Sequence, residues 1–284
     1  MELSDLAIFQ AVLQEGGITA AARRLHRVQS NITTRIKQLE DSLGVALFER
    51  DGRGVRPTAA AQVLAGYSER LLALADEARS AVASDTPRGS LRLGAMENTA
   101  AVRLPPLLAQ FHQRYPQVQL ELRTGPTASL VTAVLAGELD CALVCGPVSD
   151  PRLESQPFCH ETLLLISALG AQVGPEHGPQ TLLAFDHGCA YRQRLERWLQ
   201  ESGCVVSRLV ELDSYHAMIS CAASGMGIAL VPEALLAQTP AASHVARHPL
   251  PPHLAAAATV FIRRKGVRMP AIDAFASALA TLRQ

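Results

Sequence analysis

Between Gln29 and Lys37 the chain reads QSNITTRIK, a cluster of hydrogen-bonding side chains broken only by Ile32 and Ile36. Glutamine and asparagine amides pair bidentately with an adenine edge, and arginine with a guanine edge. Hydroxyls and a helix N-terminus suit phosphate oxygens. Gln29, Ser30, Asn31, Thr33, Thr34, Arg35 and Lys37 are therefore candidates for contact with double-stranded DNA. A second group follows in LFERDGRGVRPT, where Arg50 and Arg53 belong to a hairpin around the turn Asp51-Gly52-Arg53-Gly54. From Arg23 to Arg56 there are eight bases against four acids, although Lys+Arg and Asp+Glu are both 26 in the whole chain. A DNA-binding argument must rest on this local excess, because total charge gives none. Solvated helix faces account for most charge clusters; the combination of amides, hydroxyls and bases on one short segment is what favours DNA.

The flanking residues supply elements to hold that cluster. Leu6, Phe9, Val12 and Leu13 recur at helical spacing, Ser4 is placed to cap the helix, and Gly16-Gly17 should stop it. Thr19 is expected to cap a second helix, Ala20 to His26, with a break at Arg27-Val28. A third helix is predicted from Gln29 to Leu43, with the stripe Ile32, Ile36, Leu39 and Leu43 inward and Gly44 at its end. Strands at 47–50 and 55–56 complete a winged helix-turn-helix.

The run AAARRLHRVQSNITTRIKQLEDSLGVALFERDGRGVRPTAA resembles the N-terminal domain of LysR-type transcriptional regulators. The similarity lies in the paired alanines and leucine before the turn, the QSNITTRI start of the third helix, the LE…LG ending, the LF-x-R wing and the PTAA that follows. Ala61 departs from the glycine usual there. The resemblance implies a sequence-specific regulator of promoter DNA. It implies that Gln29, Ser30, Asn31 and Thr34 face bases and that Thr33, Arg35, Arg50 and Arg53 face phosphates. RNA polymerase becomes a further expected partner.

From Thr58 to Val82 the only helix-breaking residue is Gly66. Leu64, Tyr67, Leu71, Leu74, Ala78 and Val82 repeat at three- and four-residue steps, as in a coiled-coil seam. The alternative is a helix packed on its own domain. A helix-turn-helix that reads few base pairs gains from pairing, so a homodimer is expected, or by resemblance a homotetramer. The expected division is a DNA-binding domain at 1–58, a linker helix at 59–86 and an effector-binding domain at 87–284.

Residues beyond 87 alternate strand and helix patterns, which predicts α/β layers with parallel sheets. The resemblance implies two α/β lobes like those of periplasmic binding proteins, one from about 90 to 161 with 265–284, the other between. Ligands of such sheets sit at the carboxyl ends of strands. The loops there offer Asn98, Thr99, Thr127 and Ser129 on one side, and Cys189, Tyr191, Arg192 and Ser214 on the other. Helix N-termini there favour anionic groups, the hydroxyls of Thr99, Thr127 and Ser129 add donors, and Arg192 suits a carboxylate, so a small anionic effector is expected. Helix capping alone would explain Asn98, Thr99, Ser129 and Ser214, and a buried thiol would explain Cys189.

Composition excludes several classes. The six cysteines form no CxxC pair, and the nine histidines form no HxH or HExxH; neither a zinc site nor a disulfide framework is indicated. No nucleophile elbow, phosphate loop or dinucleotide fingerprint is present, so no catalytic residue, cofactor or metal is assigned. No apolar run reaches membrane-spanning length, and the acid-bearing N-terminus is unlike a secretory signal. A cytoplasmic protein is expected. An enzyme with a DNA-binding appendage or a stand-alone solute-binding protein are the competing readings.

Overall fold

The computed structural model describes residues 1–51, 54–83 and 86–281, and its contacts divide them between two units, Met1–Ala83 and Ser84–Gln284. In the first, α1 (Leu3–Glu15), α2 (Ile18–Arg24) and α3 (Gln29–Leu43) precede a hairpin of β1 (Phe48–Asp51) and β2 (Gly54–Pro57) and a long helix α4 (Ala59–Ala83). Gly16 and Gly44 adopt φ of 65° and 70° as the caps that end α1 and α3, a left-handed conformation that glycine enters without a Cβ penalty. Leu6, Phe9, Val12, Ile32, Leu39, Leu47 and Ala61 close the core. Leu39 and Ile32 are fully buried, so the opposite face of α3 must point outward.

Several local expectations need correction. Ser4 does not cap α1: Glu2 does, and its backbone N–H donates to Asp5 at 3.0 Å. Thr19 lies inside α2, which begins at Ile18 after Gly17 and ends at Arg24, short of His26. Leu43 remains partly exposed rather than joining the buried stripe. Helix α4 packs on α1, where Gln10 Nε2 donates to the Ala65 carbonyl at 2.8 Å and to the Ser68 hydroxyl.

The second unit runs β3 (Gly89–Ala95), α5 (Glu97–Val102), α6 (Leu104–Arg114), β4 (Val118–Thr124), α7 (Thr127–Ala136) and β5 (Cys141–Cys145). It continues through β6 (Leu153–Ala168), β7 (Gln180–Ala184), α8 (Ala190–Ser202), β8 (Val206–Glu211), α9 (Tyr215–Ala223) and β9 (Ile228–Pro232). It ends with α10 (Glu233–Leu236), β10 (Val245–His248), α11 (Pro252–Ala255), β11 (Ala256–Arg264) and α12 (Pro270–Thr281). Strand order is β4-β3-β5-β11-β6-β9-β7-β8, with β10 also on β6.

The sheet is mixed, not parallel throughout. β3, β4 and β5 are parallel, as are β7, β8 and β9, but β11 and β6 run antiparallel to their neighbours. These two strands are the crossovers between lobes. Residues 153–162 of β6 pair with β11 and residues 163–166 with β9. The chain is already back beside β5 within β11, at Thr259–Arg263, rather than from about 265 as expected. Separate cores form around Phe111, Phe261 and Phe275 in one half and around Leu183, Tyr215 and Leu230 in the other.

Gly227, just before β9, is a position of close approach. A Cβ there would lie 2.3 Å from the Thr181 carbonyl oxygen, which is backbone and cannot swing away. Gly227→Ala is expected to destabilise the second unit by about 2–4 kcal/mol through forced backbone displacement. Chemical denaturation followed by fluorescence of the single tryptophan, Trp198 on α8, would measure it.

Candidate functional site

The first surface is the outer face of α3. Gln29, Ser30, Asn31, Thr33, Thr34 and Lys37 are all exposed, while Ile32, Ile36 and Leu39 are buried beneath them. Gln29 is the first residue of the helix, so its side chain and the free N–H groups of the first turn lie together. The Thr33 hydroxyl donates to the Gln29 carbonyl at 3.0 Å, and Arg27 reaches Asn31 Oδ1 at 3.4 Å. These bonds order the first turn without covering it. Val28, 69% exposed in front of the helix, was not singled out from sequence; an apolar residue there is suited to a thymine methyl.

Arg35 is a correction. Its Nε lies 2.8 Å from the carboxylate of buried Asp5, and its guanidinium also bonds the Ser4 hydroxyl. This side chain clamps α3 to α1 and is not free for a phosphate. Arg50 lies in β1, but its side chain, like Arg53 as a whole, falls outside the described residues.

The second site is a cavity of about 620 Å³ in the effector-side unit. It opens where β3, β4, β7 and β8 end, so loops after four strands form its wall. Met96, Glu97 and Asn98 come from the first, Thr124 to Thr127 from the second, Phe185 to Tyr191 in part from the third, and Glu211 to Tyr215 in part from the fourth. Four of the eight expected residues line it: Asn98, Thr127, Cys189 and Tyr191. The Thr127 hydroxyl accepts the Cys145 N–H at 3.1 Å, which fixes the start of α7.

The other four do not line it. Thr99 is fully buried within α5, one residue past the wall. Ser129 is exposed on α7, two residues past its start at Thr127. Ser214 precedes α9 but makes no side-chain capping bond. Nor do Asn98, Thr99 or Ser129 cap a helix: Met96 and Pro126 hold those positions.

Arg192 is the largest correction. It is 5% exposed, and its guanidinium is held by Glu211 at 2.7 Å, Glu196 at 2.9 Å and the Phe185 carbonyl at 3.0 Å. It supports the wall from behind. The expectation of an anionic ligand loses this cation and keeps its other ground, the helix N-termini; among the described residues no Arg or Lys lines the cavity.

Burial sets the protonation of the wall. It pushes the Glu97 carboxyl above the usual range, against the pull of His216 and of the Tyr215 N–H. It also raises the thiol of Cys189, opposed by the N–H groups of Arg192 and Tyr191. A protonated thiol is a poor nucleophile, so Cys189 is a packing group here.

Two family models match this chain. The bacterial regulatory helix-turn-helix protein, lysR family, matches residues 3–62, and the LysR substrate binding domain matches residues 84–283. The transcriptional regulator GltR of Bacillus subtilis is 39% identical over 97% of this chain and 95% of its own length. The chain belongs to the LysR family of transcriptional regulators. Another relative of this LysR-type regulator, the HTH-type regulator CzcR of Bacillus thuringiensis, is 38% identical over 93% of this chain and 92% of its own. In fold it is similar to full-length CbnR complexed with its target DNA, at a TM-score of 0.70 and 24% identity, covering 99% of both chains. A full-length OxyR from Pseudomonas aeruginosa superposes at 0.68 with 23% identity, covering 98% of this chain and 94% of that one. The LysR-type regulator is thus a DNA-binding protein with an effector-binding domain, and α3 and the cavity lie one in each matched segment. Among the described residues no helix is long and apolar enough to cross a membrane.

Proposed function

We propose that this regulator reads promoter DNA through Gln29, Ser30, Asn31 and Thr34 on α3, with Thr33 and Lys37 towards phosphates and Arg50 and Arg53 contributing from the wing. The observation that carries this is the first turn of α3: polar, exposed and held rigidly on a buried apolar stripe. The protein works as a dimer, or a dimer of dimers, through α4. A small molecule in the cavity changes the angle between lobes, and so the bend or length of the DNA footprint, by as much as its affinity differs between the two arrangements. It acts in the cytoplasm with RNA polymerase as its eventual partner and performs no catalysis.

Gln29→Ala is expected to weaken operator binding by about 1–3 kcal/mol, the value of a good bidentate base contact, with little loss on random duplex. Gel-shift titrations on both duplexes at one salt concentration measure the difference. Equal losses on the two would remove the base-contact role of Gln29.

A further inference from the structure

The segment 185–189 joins β7 to α8 and lines the cavity with Phe185, Asp186 and Cys189. On its own side it is braced. The Arg192 guanidinium donates to the Phe185 carbonyl at 3.0 Å and lies 3.3 Å from His187 Nε2. Glu196 and Glu211 hold that guanidinium in turn. The Phe185 ring packs against the Tyr215 ring, with centroids 4.7 Å apart. Arg192 thus grips the segment at two points from behind the wall.

The far end of the segment touches the other lobe. Ala128, in the first turn of α7, donates its N–H to the Gly188 carbonyl at 3.4 Å. Helix α7 belongs to the lobe of β3 to β5, since its Leu130 and Val134 pack with Val144 of β5. Tyr191 of α8 sits in the opposite core, with Leu183 and Leu230. The bond therefore runs from lobe to lobe, between two segments that line one cavity. A first-turn N–H has no partner within its helix, and here the partner comes from across the cleft. At 3.4 Å the bond is long for an N–H donor, so it opens readily. The approach is also close. A Cβ on Gly188 would lie 3.2 Å from the Ala128 Cβ, and the φ of 101° there is one that L side chains rarely adopt.

We propose that 185–189 is a strap that closes the cavity against α7, with the Ala128–Gly188 bond as its catch and Arg192 as its anchor. Anchor and strap ride on one lobe and the catch is on the other, so a change in the interlobe angle opens or closes the strap. Its bearing on the effector rests on the reading of this cavity as the effector site; the strap as a closure does not.

Two measurements on the full-length protein test it: hydrogen exchange resolved to single amides, and labelling of the cysteines with N-ethylmaleimide followed by peptide mass. In the wild type, the Ala128 amide is expected to exchange about tenfold more slowly, relative to its intrinsic rate, than that of Ser129, the next N–H of the same turn. Ala128→Leu keeps a good helix former on α7 and pushes the strap away; Gly188→Ala does the same from the strap side. In both variants Cys189, on the cavity wall, should be labelled about tenfold faster, while Cys221 on α9 keeps its rate. An Ala128 amide that exchanges as fast as that of Ser129 in the wild type would overturn the strap. So would unchanged Cys189 labelling in either variant, or a Cys221 rate that rises as much as that of Cys189, which marks loosening of the whole lobe. The reagent reports access to the wall and not effector binding, so any of these failures leaves the reading of the cavity as the effector site standing.

Discussion

Leu71→Asp is expected to leave the protein monomeric and to lower its operator affinity by about a hundredfold to ten-thousandfold, the avidity gained when two linked modules bind together. Helix α4 has two apolar faces. Ala61, Leu64, Ala65 and Leu72 pack into the core of the first unit. Val63, Tyr67, Leu71 and Leu74 are exposed, at 65%, 58%, 37% and 59%. They recur at steps of four, four and three residues, which is the spacing of a seam for a second helix. A carboxylate in the middle of that seam would be desolvated and, in a symmetric pair, would face its own copy, at a cost of several kcal/mol. The helix itself should persist, because Leu71 is not part of the inward face. Light scattering gives the mass and gel shifts give the affinity. A wild-type protein that is already monomeric at micromolar concentration would end the argument.

Phe9→Ala is expected to destabilise the first unit by about 3–5 kcal/mol, a large share of the 5–15 kcal/mol typical of a folded domain. Phe9 is fully buried, and its ring stacks at a tilt on Phe48 with centroids 5.6 Å apart, so it ties α1 to the wing. Removing it opens a cavity beneath α3, and DNA binding should disappear at temperatures where the second unit is intact. The second unit has cores of its own. Its tryptophan fluorescence should therefore melt unchanged while helical circular dichroism is lost earlier. Coincident transitions by both probes, shifted together, would contradict independent folding of the two units.

The recognition helix was legible because three local signals agree. Its apolar stripe repeats at helical spacing, Gly44 provides a stop, and the polar cluster fills the remaining face. Its bounds, Gln29–Leu43, came out as expected. The seam of α4 was half legible. Its periodicity pointed to an apolar stripe, but two stripes coexist on this helix, and Leu64 belongs to the inner one. Val82, placed in the same seam, has its side chain outside the described residues. The first part of β6 was not legible: LESQPFCHE mixes polar residues with a proline and shows no clean alternation, yet it pairs with β11 along its length. Such a strand is held by a partner about a hundred residues away, and single-sequence patterning carries no trace of that partner.

For the ligand cavity, the sequence determined which loops would meet, since strand ends in an α/β sheet converge wherever the strand order places them. It also determined the outward face of α3, because burying Ile32, Ile36 and Leu39 leaves Gln29, Ser30 and Thr34 no other direction. What the tertiary structure alone decided is which charges stay free. Arg35 is taken by Asp5 on α1, and Arg192 by Glu211 at the end of β8. The physical reason is that a guanidinium removed from water must find a carboxylate within a few ångströms, and which carboxylate comes that close is set by packing between elements distant in the chain.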